Sequence, residues 1–530
     1  MERFPKLALE IVRVPYASKR IEKIDFIPLE KEVLYVFGLN CGEGYFQAKT
    51  WLSKKATNRL VFLEEDREEI ARFLHFSKAT EILEHPQITI SHLDDLDLLI
   101  ETFPSNEIEV ISLPSKPKRR FKTLREEIFR KTTLASGFHV ERLYGYQPFH
   151  NFLRNLKILP GSFYANRLEN AFEGCPAIVC GAGPSLKKAI PILKKMENRA
   201  LLIAGGSTLA ALSSVGIYPH FGMAVDPNLE EYRRLKNSFA FEVPLLYSTR
   251  VFPAIFQTAN GPFGYMRSGI GGIFELWMEE ELGLTEQVIG LNLSSESISV
   301  TTMCVAWAKF LGCNPILLSG VDLAYTENRR YASGVLSESE EDFLKTKGAA
   351  DQIVVRKDRK NKPLKSAVRW LIEANAFSHF ASMHPETTFL NVTEGGLAIA
   401  KIPYQPFEEV KFEKEKPFRK MVHEAIQKAM MPPQTKTVID EKIKAISESL
   451  DRMILHLEVC AGKKAGSQAL SQFELEEEMA YPYFFYDTHV VLLKEIARDV
   501  SVKNPEKEKW IRFLKLARCY KKVLEGVCLD

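Results

Sequence analysis

Two α/β domains, each a doubly wound and mostly parallel sheet, followed by a helical C-terminal domain, are what the 530 residues of this chain predict. Three observations carry that expectation. Between Glu32 and Ser112, short apolar runs alternate with amphipathic stretches in the rhythm of βαβ units. From Cys175 to Asn391 the rhythm returns, and the apolar runs end in glycine, serine, threonine, aspartate or asparagine. Beyond Pro406 glycines become scarce, and charged and apolar residues repeat at helical spacing. The expected organisation is a Rossmann-like domain over 1–113, basic and aromatic linker helices over 114–174, a second Rossmann-like domain over 175–405 and a helical domain over 406–530.

In the first domain, Val33–Phe37 reads as a buried strand, Gly38 to Gly44 as a turn and Tyr45–Leu52 as a helix. Arg59–Leu63 is a second strand closing on Glu64, Glu65 and Asp66; Arg67–Phe76 is a helix, and Ile88–Ser91 and Ile108–Leu113 are further strands. A glycine turn followed by an acidic strand end resembles the opening motifs of S-adenosylmethionine-dependent methyltransferases, in which the acid binds ribose hydroxyls. After the last strand, however, Pro114-Ser-Lys-Pro117 offers no catalytic motif for amine methylation. The basic run from Lys116 to Lys131 reads as a solvated helix face after a domain boundary.

In the second domain, Ala177 to Cys180 suits a buried parallel strand. Gly181 and Gly183 then let the backbone turn tightly and approach a ligand, while Ser185 is placed to cap the following helix, whose amides would face an anion such as a phosphate. Leu186 stands where a dinucleotide fingerprint needs glycine, and no Gly-Lys-Ser/Thr follows, so neither that fingerprint nor a P-loop is present. Leu201–Ala204, Phe221–Val225, Val243–Tyr247, Pro315–Ser319 and Thr388–Val392 are the other expected strands. Ligands in open α/β sheets sit at carboxyl strand ends, so Gly205 to Thr208, Asp226 to Asn228 and Gly320 to Tyr325 belong around one crevice with the 181–185 loop. Ser294–Leu311 reads as a helix with a small-residue start, and 326–366 as a polar mobile loop or solvated insertion. His220 precedes its strand, away from that crevice, and reads as a satisfied turn histidine.

Composition narrows the function. With 71 basic and 68 acidic residues the net charge is +3, which does not call for nucleic acid as a partner. The N-terminus has no apolar signal core and no run of 18 apolar residues occurs, so a cytoplasmic protein without a membrane span is expected. The eight cysteines form no CxxC pair and read as buried hydrophobes rather than zinc ligands. The acidic stretch around Glu474, Glu476, Glu477 and Glu478 reads as a solvated helix face, and no metal site is expected.

Five motifs in one order carry a more specific signal: Gly181-Ala-Gly-Pro-Ser-Leu186, Pro219-His-Phe-Gly-Met-Ala-Val-Asp226, Ser299-Val-Thr-Thr302, Leu318-Ser-Gly-Val-Asp-Leu-Ala-Tyr325 and Asn391-Val-Thr-Glu-Gly-Gly396. Their order resembles the motility accessory factor family and the domain it shares with 6-hydroxymethylpterin diphosphokinases of the MptE-like type. The central domain is also similar to bacterial CMP-dependent sialyltransferases. The resemblance implies a glycosyltransferase that moves a nonulosonic, sialic-like sugar from a CMP-linked donor to a hydroxyl of a protein or glycan, with the nucleotide sugar and the acceptor as partners and no cofactor required. It further implies that Gly181, Gly183, Pro184 and Ser185 hold the nucleotide, that Ser207 and Thr208 line its far side, that Asp226 and Asn228 face the donor, and that Ser299, Thr301 and Gly320 contact base or ribose. A leaving CMP needs amide and hydroxyl donors around its phosphate, and those residue types supply them.

Two departures bear on the catalyst. Ala182 stands where the sialyltransferases have asparagine, and Glu327-Asn-Arg-Arg-Tyr331 replaces the segment that carries their catalytic histidine. Tyr325 and Tyr331 are therefore candidates to hydrogen-bond the leaving phosphate, and Asp322 to orient a residue, to act as base or to cap the strand-end turn. The pterin branch implies a different reaction, pyrophosphate transfer from ATP with Mg²⁺, which needs carboxylates at strand ends. Of those acids this chain keeps only Asp226, with Gly205 and Gly206 after Ala204 and Asn228 after Pro227. A nucleotide-binding scaffold without catalysis is the remaining reading.

Overall fold

The computed structural model describes residues 22, 24 and 31–528, with breaks at 104, 106, 144–145, 270–271, 295, 298, 328, 333–334, 336–351, 413–414 and 499–501. It divides into two compact units, residues 1–140 with 345–353, and residues 141–344 with 354–530.

In the first unit, strands β1 (Val33–Phe37), β2 (Arg59–Glu64), β3 (Ile88–His92) and β4 (Ile108–Ser112) form a parallel sheet in the order β3-β2-β1-β4. All five side chains of β1 are buried, which explains why it reads as an unbroken apolar run. Helices α1 (Glu43–Leu52) and α2 (Arg67–Leu74) follow the first two strands, Asp66 capping α2 through the amide of Glu68. Two short helices, α3 (Ala79–Glu84) and α4 (Leu96–Thr102), escape the sequence pattern because six or seven residues show too little periodicity. The basic run opens α5 (Lys118–Leu143), and part of its charge is matched: Arg120 meets Glu65 at 3.1 Å, Arg125 meets Glu109 at 3.2 Å and Lys131 meets Glu127 at 3.0 Å.

The second unit is built on eight parallel strands in the order β14-β11-β6-β7-β8-β9-β10-β5. These are β5 (Phe163–Tyr164), β6 (Ala177–Cys180), β7 (Leu201–Gly205), β8 (Phe221–Ala224), β9 (Leu245–Tyr247), β10 (Phe263–Tyr265), β11 (Ile316–Ser319) and β14 (Phe389–Asn391). From β6 the chain adds β7 to β10 on one side, then crosses back to lay β11 on the other. The order therefore reverses between β6 and β11, which is the topological switch point. A two-stranded hairpin, β12 (Ile353–Lys357) and β13 (Pro363–Ala367), lies in the stretch expected to be a mobile loop; residues 336–351 of that stretch fall outside the described residues.

Helices α6 (Tyr146–Asn155), α7 (Leu186–Leu193), α8 (Gly206–Ser213), α9 (Leu229–Leu235), α10 (Ile273–Glu281), α11 (Val300–Phe310) and α12 (Val368–Met383) flank this sheet. The C-terminal region is helical as expected: α13 (Phe418–Lys428), α14 (Thr435–Cys460), α15 (Gln468–Glu477), α16 (Tyr481–Arg498) and α17 (Pro505–Cys528). Ile439, Ile443, Ile446, Leu450, Met453 and Leu457 of α14 recur every three or four residues, and they share one core with the sheet-flanking helices. Phe149 of α6 is central to that junction, its ring 5.2 Å from Phe274, 4.8 Å from Phe484 and 4.8 Å from Tyr520 in edge-on contacts. In the acidic stretch of α15, Glu478 accepts from Arg452 at 2.7 Å, and Glu474 lies 3.2 Å from His456. Among the described residues no helix is long and apolar enough to cross a membrane.

Candidate functional site

Strand register aligns the site. Ser319 pairs with Cys180, Cys180 with Ala204 and Gly205 with Met223, so the carboxyl ends of β11, β6, β7 and β8 lie nearly level. The loops leaving them, together with the starts of α8, α11 and α12, enclose a cleft of about 360 Å³ at the switch point. Gly181, Gly183, Ser207, Thr208, Asp226, Asn228, Ser299, Thr301, Gly320, Asp322 and Tyr331 line it. Motifs more than 140 residues apart in sequence thus meet at one sheet edge.

The glycines are where the backbone cannot carry a side chain. A Cβ on Gly183 would lie 2.2 Å from Asp322 Oδ1, and one on Gly181 would lie 2.6 Å from the Gly320 carbonyl oxygen. The two loops touch because both lack side chains, and Gly183 N donates to Gly320 O at 2.8 Å.

Ser185 and Asp322 behave differently from the sequence expectation. Ser185 makes no side-chain cap on α7; its hydroxyl donates to Asp322 Oδ1, and its amide lies 3.3 Å from Oδ2. The anion at this helix start is therefore the protein's own carboxylate, which ties the β6 loop to the β11 loop. Burial raises the Asp322 carboxyl above its ordinary range, and the Ser185 hydroxyl draws it back. A cap at the strand-end turn, one of the roles expected for Asp322, matches this geometry. Pro184 and Ser185 stand behind the cleft rather than on its wall.

Tyr325 is also set back: its ring packs against Trp370 at 4.8 Å, and Trp370 rather than Tyr325 lines the cleft. Tyr331 does reach the wall, where the Arg330 guanidinium lies 5.1 Å from its ring centre, and the adjoining Ala332 amide donates to Ala182 O at 2.8 Å. His220 lies at the opposite strand end, its Nδ1 accepting from the Leu202 amide at 2.9 Å. Burial lowers its pKa to about 4, so it is a neutral structural imidazole.

Several site residues carried no motif. Glu231, Arg234, Arg369, Trp370 and Glu373 all line the cleft, as does Arg330 of the 327–331 segment. Glu231 is buried against the start of α8, where a Cβ on Gly206 would lie 2.6 Å from its Oε1, and Arg234 stands 3.7 Å away. Burial, reinforced by the charge of Asp226, raises its pKa to about 8. Glu373 accepts a hydrogen bond from Ser299 Oγ, while the Ser299 oxygen accepts from the Thr302 amide at 3.2 Å and so caps α11. Burial raises the Glu373 pKa to about 7 against the opposing pull of Ser299 and Arg369.

A further group supports the site from behind. Asn151 of α6 is fully buried and donates to the carbonyls of Pro227 at 2.8 Å and Arg250 at 3.0 Å, fixing the loop that carries Asp226 and Asn228. Asn155, one turn on, donates to the carbonyls of Thr249 and Val251 at 2.7 Å. The signal for both was available: two asparagines four apart on an aromatic amphipathic helix imply buried amides with backbone partners.

Fold and cleft together define an α/β domain whose carboxyl-edge site lies at the switch point of a wide parallel sheet. Residues 150–328 match the family model described as 6-hydroxymethylpterin diphosphokinase MptE-like. The solved structure of the MAf glycosyltransferase from Magnetospirillum magneticum AMB-1 is similar in fold, with a TM-score of 0.51 and 14% identity over 94% of this chain and 80% of that one. The match of residues 150–328 to the MptE-like model, and the α/β class with a helical C-terminus, are as the sequence led us to expect. No curated protein matches the chain.

Proposed function

We infer that the protein is a glycosyltransferase that binds a nucleotide-activated acidic sugar, CMP-linked, in the switch-point cleft and transfers it to a hydroxyl of a protein or glycan. The observation that carries this reading is the convergence of three hydroxyl-bearing side chains, Ser207, Thr208 and Thr301, with the Gly181–Gly183 turn and Arg234, Arg330 and Arg369 around one opening. Such a wall offers neutral donors to a phosphodiester and cations to a sugar carboxylate. The structural similarity to a protein described as a MAf glycosyltransferase agrees with it. On this reading Tyr331 donates to the leaving phosphate, and Asp322 and Tyr325 position the loop and Trp370 rather than touching substrate.

The MptE-like match supports a second reading, Mg²⁺-dependent pyrophosphate transfer from ATP. The donor set fits it poorly. Asp226 and Glu231 are the acids of that corner, Glu231 is turned to Gly206 and Arg234, and among the described residues no cluster of three or more His, Cys, Asp or Glu side chains is arranged to hold a metal ion. Methyl transfer by the first unit has less support. Glu64, the acid that would bind ribose, already accepts from Leu39 N at 3.1 Å, Glu65 N at 2.9 Å, Asp66 N at 3.2 Å and the Lys116 ammonium.

Thermal unfolding with CMP, with ATP plus Mg²⁺ and with S-adenosylmethionine separates these readings. A ligand at 100 times its Kd adds about 2.7 kcal/mol. Stabilisation by CMP is expected; stabilisation by ATP only when Mg²⁺ is present would favour the pyrophosphokinase, and no response to any of the three would favour the scaffold.

A further inference from the structure

We propose that Glu373 is the general base that takes the proton from the acceptor hydroxyl, a role that rests on the glycosyltransferase reading above. Four carboxylates border the cleft, and their surroundings sort them. Asp322 is spent on Ser185 and enclosed by two glycines, since a Cβ on Gly183 or on Gly396 would strike its side chain or backbone. Asp226 and Glu231 share one corner, where each feels the other's charge and Arg234 neutralises part of it. Glu373 stands apart from both arrangements. Among the described contacts its carboxylate accepts from the neutral hydroxyl of Ser299, which orients it, while the charge of Arg369, one turn earlier on α12, offsets only part of the effect of burial.

Placement agrees with the role. Arg369, Trp370 and Glu373 lie on the first turns of α12 at spacings that put all three on the cleft wall. Ser299 is itself fixed as the α11 cap, so the carboxylate is held by a rigid element rather than by a loop. Its affinity for a proton, raised by burial to about 7, suits a group that must gain one at neutral pH. In the transfer, the bond between the anomeric carbon and the phosphate oxygen breaks and its electron pair leaves on the phosphate as CMP. The acceptor oxygen forms the new bond to that carbon, and its proton passes to the Glu373 carboxylate. No oxidant, reductant or metal enters the balance.

The test uses the full chain with CMP-N-acetylneuraminic acid as donor and water as the acceptor hydroxyl, reading CMP release above the protein-free rate, with CMP-induced thermal stabilisation as the second readout. Glu373→Gln is expected to slow release about 100-fold or more while CMP still stabilises the variant. Glu373→Ala is expected to be slow as well, and to recover in sodium formate, a recovery that a merely structural carboxylate would not show. Release by Glu373→Gln within a few-fold of wild type would overturn the assignment. So would a slow Glu373→Ala that formate does not restore and that has lost its response to CMP. A wild-type protein unmoved by CMP would overturn the parent reading and this assignment with it.

Discussion

The two parallel sheets begin alike and end differently. Each carries a glycine turn after a buried strand and an acid at a neighbouring strand end, and in each that acid accepts backbone amides of a loop. In the first sheet the protein completes the site with itself: the Lys116 ammonium meets Glu64 and lies 5.1 Å from the Phe37 ring centre, and a Cβ on Gly38 would already touch Leu113 and Lys116. In the second sheet Asp322 occupies the start of α7, yet the loops after β7 and β8 and the starts of α11 and α12 hold an opening beside it. A glycine turn and an acid are therefore common to a filled structural joint and to an open cleft. What separates them is whether a further side chain fills the crevice.

The largest effect should come from the second sheet's turn. Gly183→Ala forces a methyl into Asp322 and the Gly320 carbonyl, so we expect loss of the CMP response together with about 1–3 kcal/mol of stability, read by thermal and denaturant unfolding. Retention of CMP stabilisation in that variant would break the comparison, because the close approach of the two loops would then be irrelevant to binding. In the first sheet, Lys116→Met leaves a buried carboxylate without its cation and should cost about 3 kcal/mol while CMP binding persists. Binding of S-adenosylmethionine by the wild-type protein would instead show that Lys116 gives way to a ligand. Asn151→Ala removes the hydrogen bonds to the Pro227 and Arg250 carbonyls and the one accepted from Gln147, and should cost about 2 kcal/mol, weakening CMP binding through the Asp226 loop rather than through contact.

The smallest effect concerns pH and separates the two sides of the second sheet. Burial raises Glu373 to about 7 and Glu231 to about 8 from an ordinary 4.5, so folding favours their protonated forms. Their contribution is complete below pH 4.5 and is lost as pH rises through those values. Glu373→Gln should therefore gain about 1–3 °C in melting temperature relative to wild type as pH rises from 4.5 to about 7. His220, at the other strand end, has the opposite sign: lowered to about 4 from 6.5, it contributes stability above pH 6.5 that is lost as pH falls through 4. A pH profile of His220→Asn flat across that acid window, against a falling wild type, checks it.

The strands of both sheets were legible because a parallel strand buried on both faces is an unbroken apolar run, and the carboxyl-edge residues were legible because strand ends in such folds collect small and polar side chains. Short elements were not: β5, β10 and α9 have two, three and seven residues, too few to show a period. Eleven of the candidate site residues line the cleft, whereas Pro184, Ser185 and Tyr325 stand behind it. Ser185 looked like a ligand contact because a serine at a helix start is a donor whatever it faces. Only the partner, Asp322, 137 residues away, decides which way that donor turns.

Sequence alone determined the class of fold, the position of the glycine turns and the edge of the sheet at which the cleft opens, since each follows from local pattern and the pairing rules of parallel strands. Tertiary structure decided which turn stays open. It brought Glu231 from α9 and Arg369, Trp370 and Glu373 from α12 onto the wall, and it buried the carboxylates deeply enough to raise their proton affinity. Those properties come from burial and from neighbours distant along the chain, and no local window of residues contains either.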